Sequence, residues 1–338
     1  MMSPRPRLSL AMDPERTQHV LTPQALEKLS QSVDILDTRP VCDFHDPAVT
    51  AQLERTDILL TGWGCPEIDM RELAMMPNLR LISHAAGTVK YFLSQAVFER
   101  NVTVCSAAEA NAQPVAEFTL AMILLSGKRT FGFRRIYGED RARRNVDRLQ
   151  SQVIGNLGLT VGIVGASRIG RRVINLLQPF DLDLILFDPF LSAVEAQKLG
   201  VRLVSLRELM AVSDVISLHA PSLPQTRHMI GADALALMKD GATLINTARG
   251  ALVDEDALLA ELKTGRIEAV IDVTDPEVPS PESPFYSLPN VFLTPHIAGA
   301  VGLERARLGD MAIAEIERFC RAEPLQQQVR PEHLELIA

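Results

Sequence analysis

The chain has 338 residues, of which 47% are hydrophobic and 22% are charged, and its formal net charge is −8. This length favours two domains, and the apolar residues spread along the whole chain argue against long disordered tracts. The negative charge argues against a general nucleic-acid-binding protein, because duplex binding depends on basic side chains that neutralise phosphates.

The sequence carries no targeting or membrane signal. The stretch MMSPRPRLSL lacks the long apolar segment of a signal peptide. No apolar run approaches the roughly 18 residues that a membrane span needs. Cys42, Cys65, Cys105 and Cys320 are widely scattered and form no CxxC pair, so neither a metal site nor a disulfide framework is predicted. We therefore expect a cytoplasmic protein with no membrane partner.

The first half of the chain predicts a small α/β unit. Apolar runs at Ile58 to Leu60, Leu79 to Ile82 and Val102 to Val104 alternate with amphipathic segments. Gln113 to Lys128 is apolar almost all round, which predicts a buried helix that crosses between two domains. Lys128 to Arg148 then holds eight basic residues against three acidic ones. We interpret this basic stretch as a solvated or subunit-facing helical segment.

The second half predicts a parallel sheet with helices on both faces, because short β-branched runs alternate with amphipathic segments. Six strands are predicted, at Leu159 to Val164, Leu184 to Phe187, Val215 to Leu218, Thr243 to Ile245, Ala269 to Ile271 and Val291 to Leu293. The amphipathic segment Glu304 to Arg321 is predicted to pack back on the first domain. We therefore expect one discontinuous domain, 1–112 plus 300–338, and a second domain, 113–299.

A nucleotide-binding turn is predicted after the first of these six strands. Gly165 and Gly170 bracket Ala166, Ser167, Arg168 and Ile169 at the start of an amphipathic helix. The amides and positive dipole of a helix N-terminus suit a pyrophosphate, and Gly165 permits the tight turn. Ser167 replaces the middle glycine of GxGxxG, so its Cβ would crowd a phosphate unless its hydroxyl donates to it. Taken alone, this motif is weak.

Asp188 strengthens the nucleotide-binding interpretation. It ends the next strand, 18 residues after Gly170, where a carboxylate can accept from a ribose hydroxyl. The following Pro189, Phe190 and Leu191 include no arginine to neutralise a 2′-phosphate, which favours NAD over NADP. A methyltransferase can show the same glycine turn and acidic strand end, so this site alone leaves the reaction open.

Three later strand ends carry groups suited to reducing a 2-oxo acid. Such a reaction needs a cation for the carboxylate, a proton donor for the carbonyl oxygen and a site that excludes water. Arg249 can bind a carboxylate bidentately, His296 is the natural acid, and Glu277 would orient and charge the imidazole. Each residue alone is a weak indication, since a surface ion pair, a structural histidine or a loop acid would look the same.

The ordered motifs identify the chain as similar to the D-isomer-specific 2-hydroxyacid dehydrogenases. The resemblance covers nearly the whole chain. The stretches that carry it are SHAAGTVKYF (83–92), NAQPVAEFTLAMILL (111–125), VGIVGASRIG (161–170), SDVISLHAPSLPQT (213–226), INTARGALVDEDALL (245–259), DVTDPE (272–277) and LTPHIAG (293–299). The resemblance implies two Rossmann-like, doubly wound α/β domains with a cleft between them. It also implies a discontinuous substrate-binding domain, an NAD-binding domain and a homodimer built on the latter.

The resemblance also assigns roles to individual residues. It implies Arg249, Glu277 and His296 as the catalytic set, and substrate contacts from Ala86, Gly87, Thr88 and Arg249. It implies cofactor contacts from the turn and from later strand ends: Gly165, Ser167, Arg168, Ile169, Gly170, Asp188, Ala220, Pro221, Thr226, Thr247, Ala248, Asp272, Ala298 and Gly299. Asp272 would lie near the nicotinamide carboxamide.

Departures from the family pattern and rival functions limit these expectations. Lys90, Tyr91 and Phe92 stand where many relatives have Asp and Asn, so the substrate preference cannot be carried over. The end at Ala338 predicts no C-terminal regulatory domain.

Formate dehydrogenases resemble the chain less, because they carry Gln at the position of Glu277. The alternative to an enzyme is a corepressor-like protein that senses NAD(H) without significant turnover, and only a turnover measurement separates the two.

Overall fold

The computed structural model describes residues 5–150 and 154–332. Contacts divide the chain into two compact units. The first unit combines the chain up to Asn111 with the chain from Ala300 onward, and the second runs from Ala112 to Gly299. In the described ranges no helix is both long and apolar enough to cross a membrane.

The secondary-structure elements are numbered along the chain. The strands are β1 (Arg7–Ala11), β2 (Asp34–Ile35), β3 (Ile58–Thr61), β4 (Leu81–His84), β5 (Thr103–Ser106), β6 (Leu159–Val164), β7 (Leu182–Phe187), β8 (Arg202–Leu203), β9 (Val215–Leu218), β10 (Thr243–Asn246), β11 (Glu268–Ile271) and β12 (Val291–Leu293). The α-helices are α1 (Pro23–Ser32), α2 (Thr50–Leu53), α3 (Met70–Met75), α4 (Gln95–Glu99), α5 (Ala108–Gly127), α6 (Thr130–Asp140), α7 (Arg144–Gln150), α8 (Arg168–Leu177), α9 (Ala193–Lys198), α10 (Leu206–Val212), α11 (Ala232–Ala236), α12 (Glu255–Lys263) and α13 (Ala306–Cys320).

The first unit is built on a parallel five-stranded sheet with the order β2-β1-β3-β4-β5. The three apolar runs of the first half overlap β3, β4 and β5, in agreement with the predicted α/β unit, although β4 begins two residues after its run and β5 begins one residue after its run. The sequence analysis missed β1 and β2. Strand β2 has two residues, which are too few to show a periodic pattern. Strand β1 lies near the start of the chain, so no earlier element shows the alternation of strands and helices that would mark its apolar run as a strand.

Helices cover both faces of the first sheet, because alternate strand residues point to opposite faces. Leu8, Leu10 and Leu60 pack with α1 and with Ala312, Ile313 and Ile316 of α13. Leu59, Ile82 and Val104 pack on the other face with Leu53, Leu73 and Val97, from α2, α3 and α4. The C-terminal segment predicted as amphipathic therefore packs on the first unit, although its first turn, Gly302–Arg305, is a 3-10 helix.

The second unit contains a parallel seven-stranded sheet with the order β12-β11-β10-β9-β6-β7-β8. Each of the six predicted runs is a strand, and β7 begins two residues earlier than predicted, at Leu182. The number of strands was wrong by one, because the two-residue edge strand β8 carries no periodic pattern. Chain order reverses between β6 and β9, which are hydrogen-bonded neighbours at the middle of the sheet.

Helices also cover both faces of the second sheet. One face packs against α5 and α8 through residues such as Ile123 and Val173, and the other packs against α10, α11 and α12. Helix α5 begins five residues before the predicted Gln113, so Pro114 lies inside the helix. A proline favours the first helical turn, which explains the late predicted start. The basic stretch forms α6 and α7, and α6 has no buried residue.

Candidate active site

The predicted nucleotide turn connects β6 to α8. Gly165 has a φ of +96°, a conformation that side chains other than glycine rarely adopt. A Cβ at Gly165 would lie 2.7 Å from the Ala220 amide nitrogen, so the loops after β6 and β9 are in close contact. These two loops follow the strands between which the chain order reverses. In open parallel sheets, dinucleotides bind at this reversal point, beyond the carboxyl ends of the strands.

Ser167, the departure from the usual glycine motif, is the N-cap of α8. Its Oγ accepts a hydrogen bond of 3.3 Å from the amide of the buried Gly170. Because Oγ acts here as an acceptor, its own hydrogen is available to donate in another direction. Arg168 and Ile169 form the first turn of α8, where the helix amides and dipole attract an anion. The local structure thus accommodates serine within the phosphate turn.

Asp188 follows β7 and is fixed beside the same turn. Its Oδ2 accepts from the Ala166 amide at 2.8 Å, and its Oδ1 accepts from the Phe190 amide at 2.9 Å. A strand-end carboxylate next to a glycine turn and a helix N-terminus matches the groups that a bound dinucleotide requires. The residues present therefore fit a nicotinamide dinucleotide.

The loops after β9 and β10 place further predicted cofactor residues at the same edge of the sheet. Thr226 Oγ1 donates to the carbonyl of Pro221 at 2.6 Å, which closes the loop that follows Ala220. Thr247 is buried, and its Oγ1 lies 3.0 Å from Thr119 Oγ1 of α5. These contacts shape the loops from within the second unit.

Arg249 lies in the loop that follows β10. Asn246 holds this loop from both sides, because its Nδ2 donates to the Arg249 carbonyl at 2.9 Å and its Oδ1 accepts from the Ala248 amide. A Cβ at Gly250 would lie 2.1 Å from the Thr274 carbonyl carbon. The backbone beside Arg249 is thus packed directly against the loop that follows β11. Arg249 itself is half-buried.

Asp272 has a structural role that the sequence analysis did not predict. Its carboxylate is buried at 2% exposure and accepts from Thr294 Oγ1 at 2.6 Å and from the amides of Ile297 and Ala298 at 2.8 and 2.9 Å. These bonds fold the segment from Thr294 to Gly299 against the end of β11. The position of Asp272 directly after a predicted strand indicated a site residue. Only the fold shows that its carboxylate binds the loop of His296.

The carboxylate of Glu277 hydrogen-bonds to Nδ1 of His296. His296 has a φ of +54°, and its amide donates to the Asp272 carbonyl at 2.9 Å. The side chain of His296 is 44% exposed and that of Glu277 is 64% exposed, so solvent and small solutes reach them. A carboxylate at Nδ1 fixes the hydrogen there, orients the ring and leaves Nε2 for proton transfer.

Two other histidines lie near predicted site residues but are buried. His219 precedes Ala220, and burial lowers the pKa of its ring to about 3. His84 precedes the predicted substrate loop, and burial likewise lowers its pKa to about 3. Both rings are therefore neutral at physiological pH and cannot be the protonated acid. Among the three, His296 alone has the exposure and the carboxylate partner that the acid requires.

The predicted substrate residues Ala86, Gly87 and Thr88 lie in the first unit, in the loop after β4. Sequence analysis missed Ser106, which binds this loop, and Asn111, which lies beside it. Ser106 Oγ donates to the carbonyl of Gly87, and Asn111 Oδ1 accepts from the Ala300 amide at 3.0 Å. A Cβ at Gly87 would lie 3.5 Å from Asn111 Nδ2. No motif around Ser106 signalled its contact with a loop nearly twenty residues earlier.

Comparison with known proteins agrees with this geometry. Residues 120–298 match the family model of the D-isomer specific 2-hydroxyacid dehydrogenase, NAD binding domain. The glyoxylate reductase of Aeropyrum pernix is 31% identical over 307 residues, which are 88% of this chain and 90% of that protein. The D-3-phosphoglycerate dehydrogenase of Methanocaldococcus jannaschii is 34% identical over 278 residues, which are 80% of this chain and 51% of the relative.

The crystal structure of the TT0316 protein from Thermus thermophilus is similar over 96% of this chain and all of that chain, with a TM-score of 0.73 and 28% identity. The chain spans about half the length of the D-3-phosphoglycerate dehydrogenases that it matches, 49% in one and 51% in another.

The two parallel sheets and the nucleotide turn define a dinucleotide-binding α/β protein. The matches go further: the chain belongs to the D-isomer specific 2-hydroxyacid dehydrogenase family, a family of nicotinamide-dependent oxidoreductases. The residues that match the NAD binding domain of that family, 120–298, lie within the second unit.

Proposed function

We propose that this protein is an NAD-dependent D-2-hydroxyacid dehydrogenase, which interconverts a small 2-oxo acid and the corresponding 2-hydroxy acid. The observation that carries the proposal is the hydrogen bond between Glu277 and His296, formed by the loops after β11 and β12. The neighbouring loop, after β10, presents Arg249 and packs against the loop of Glu277. An arginine, an imidazole and its carboxylate thus lie at the ends of three adjacent strands.

Each of these residues has a defined role in the proposed reaction. Bound NADH supplies the hydride. Arg249 holds the carboxylate of the substrate and polarises the adjacent carbonyl. His296 donates a proton from Nε2 to the carbonyl oxygen during reduction and takes it back during oxidation. Glu277 accepts from Nδ1 and keeps the ring oriented.

The first unit would supply substrate-binding groups, and the second would bind the cofactor. We propose that Ala86, Gly87 and Thr88 contribute to substrate binding and that Asp188 makes NAD the preferred cofactor, because its carboxylate repels a 2′-phosphate. The relatives named glyoxylate reductase and D-3-phosphoglycerate dehydrogenase support a small 2-oxo acid or 2-hydroxy acid as substrate.

We also propose a homodimer formed through the second unit. The support is family membership together with the surface of α6, which has no buried residue and exposes Tyr137. Light scattering that measures the mass of the protein in solution would show a dimer, and a monomer at micromolar concentration would contradict this part of the proposal.

The test is NADH oxidation in the presence of glyoxylate, hydroxypyruvate, pyruvate, phenylpyruvate, 2-oxoglutarate or 3-phosphohydroxypyruvate, with NADPH in parallel. His296→Asn and His228→Asn form a matched pair, because both residues have a positive φ, which asparagine tolerates, and both side chains are exposed. We expect turnover with NADH that is lost in His296→Asn and kept in His228→Asn. Tight NADH binding with no turnover of any oxo acid would overturn the proposal.

A further inference from the structure

Buried side chains hold three successive backbone groups in the loop after β4. Ser106 Oγ donates to the carbonyl of Gly87 and lies 3.3 Å from the carbonyl oxygen of Ala86. The ring of His84 hydrogen-bonds to the backbone of Thr88. The arrangement therefore fixes the orientation of the peptide groups from Ala86 to Thr88.

The hydroxyl of Ser106 is itself held in one orientation. Its Oγ accepts a hydrogen bond of 3.2 Å from the amide of Ala108, at the start of α5. Since a hydroxyl has one hydrogen, this bond leaves that hydrogen to be shared between the two loop carbonyls. Ser106 is 5% exposed, and its amide donates to the carbonyl of Gln327 at 3.1 Å. Side chain and backbone are both tied to the first unit.

The direction of the two carbonyls determines the direction of two amides. The peptide bonds that join Ala86, Gly87 and Thr88 are trans, and in a trans peptide the C=O and N–H groups point in opposite directions. Carbonyls that face Ser106 therefore turn the amides of Gly87 and Thr88 away from it. The hydrogen bonds of residues 5–150 and 154–332 include none donated by either amide. Two successive amides with a shared orientation form a binding site for an anion.

We propose that Ser106 is a positioning residue that aims the Gly87 and Thr88 amides at the carboxylate of the 2-oxo acid. This inference rests on the proposed function, because it assigns the anion to the substrate of that reaction. Ser106 touches neither substrate nor cofactor in this scheme. It acts through the two carbonyls that its hydroxyl binds.

The test compares Ser106→Ala with a matched control, Ser83→Ala. Ser83 is a fully buried serine on the adjacent strand β4, and its Oγ donates to the carbonyl of Ala312 at 2.9 Å, outside the substrate loop. The readouts are KM and kcat for glyoxylate, the dissociation constant of oxamate with NADH present, and the dissociation constant of NADH itself. Thermal unfolding monitors the fold of each variant.

In Ser106→Ala we expect KM and the oxamate dissociation constant to rise about tenfold, the change that the loss of one well-placed hydrogen bond produces. NADH affinity should stay unchanged and kcat should change less. Ser106→Thr, which keeps the hydroxyl, should restore both constants. If Ser106→Ala does not fold, Ser106→Cys provides the same comparison with a weaker donor of similar size.

If Ser106→Ala folds and its KM for glyoxylate and its oxamate dissociation constant equal those of the wild type, the inference is overturned. An equal rise of both constants in Ser83→Ala would also overturn it. A wild-type protein that binds oxamate but does not turn over would contradict the proposed dehydrogenase. Weaker oxamate binding in Ser106→Ala would still support the inference in that case. A wild-type protein that neither binds oxamate nor turns over any oxo acid would overturn both.

Discussion

The carboxylate of Glu277 hydrogen-bonds to Nδ1 of His296, although the two residues are 19 positions apart and follow different strands. The buried Asp272 holds the loop of His296 in place, since its carbonyl accepts from the His296 amide and its carboxylate binds the amides of the next two residues. The orientation of the candidate acid therefore depends on two carboxylates, one exposed and one buried.

Replacing Glu277 by Gln should lower kcat by about one to two orders of magnitude, because a neutral amide is a weaker acceptor than a carboxylate for the Nδ1 hydrogen bond that orients the ring. The amide keeps the size of the side chain and can still accept from Nδ1. Steady-state reduction of glyoxylate by NADH measures the effect. Glu282→Gln is the control, since Glu282 is an exposed acid of the same loop region. Equal rates in the two variants would contradict the role of Glu277.

Replacing Arg249 by Lys should lower kcat/KM about a hundredfold, because an ammonium group cannot form the paired, planar contact of a guanidinium with a carboxylate. The positive charge is retained, so a small effect would show that charge alone suffices and that bidentate binding is absent. Arg202→Lys is the control at an exposed ion pair with Glu208. Thermal unfolding of both variants should match that of the wild type.

Replacing Asp188 by Asn should weaken NADH binding about tenfold and reduce the preference for NADH over NADPH, because the substitution removes both a strong acceptor and a negative charge. Fluorescence titration with each cofactor measures the two dissociation constants. Asp183→Asn, at an exposed position on the same strand, should leave both unchanged. An unaltered ratio of the constants in Asp188→Asn would rule out Asp188 as the determinant of cofactor preference.

The stability of the protein should fall in acid partly because of His219. Burial lowers the pKa of this ring from 6.5 to about 3, so below pH 6.5 the unfolded chain binds a proton that the folded protein does not. The part of the unfolding free energy that depends on a neutral His219 ring is fully present above pH 6.5. It is lost as the pH falls from 6.5 towards 3, at about 1.4 kcal/mol per pH unit. Between pH 7.5 and pH 5.5, the unfolding free energy measured in urea should fall by about 1.4 kcal/mol because of this group.

His219→Gln should reduce the dependence of unfolding free energy on pH, because the amide does not titrate. His45→Gln, at a half-exposed histidine paired with Glu72, is the comparison variant. If His219→Gln and the wild type lost equal stability between the two pH values, the ring would have to be protonated in the folded protein.

Much of the second unit could be predicted from the sequence. Its six longer strands are apolar runs that end at turn-forming or polar residues, and the site residues follow those runs directly. In a parallel sheet all carboxyl ends meet at one edge, so Gly165, Asp188, Arg249, Glu277 and His296 were predicted to converge. The apolar pattern of each longer strand is a local property of the sequence, so it can be predicted without the fold. Strands β2 and β8 have two residues each, which is too few to show such a pattern.

The contacts that set the geometry of the site depend on the tertiary structure. Asp272 was expected beside the cofactor, and the fold shows its carboxylate binding the loop of His296. Ser106 carried no motif, and its contact with the loop of Gly87 exists because β4 and β5 are hydrogen-bonded neighbours. Periodicity determines which face a residue occupies, but a hydrogen bond between distant residues requires their strands to pair in one register. The sequence by itself thus determined the fold class and the chemical groups of the site, and only the folded chain decided which groups hold them in place.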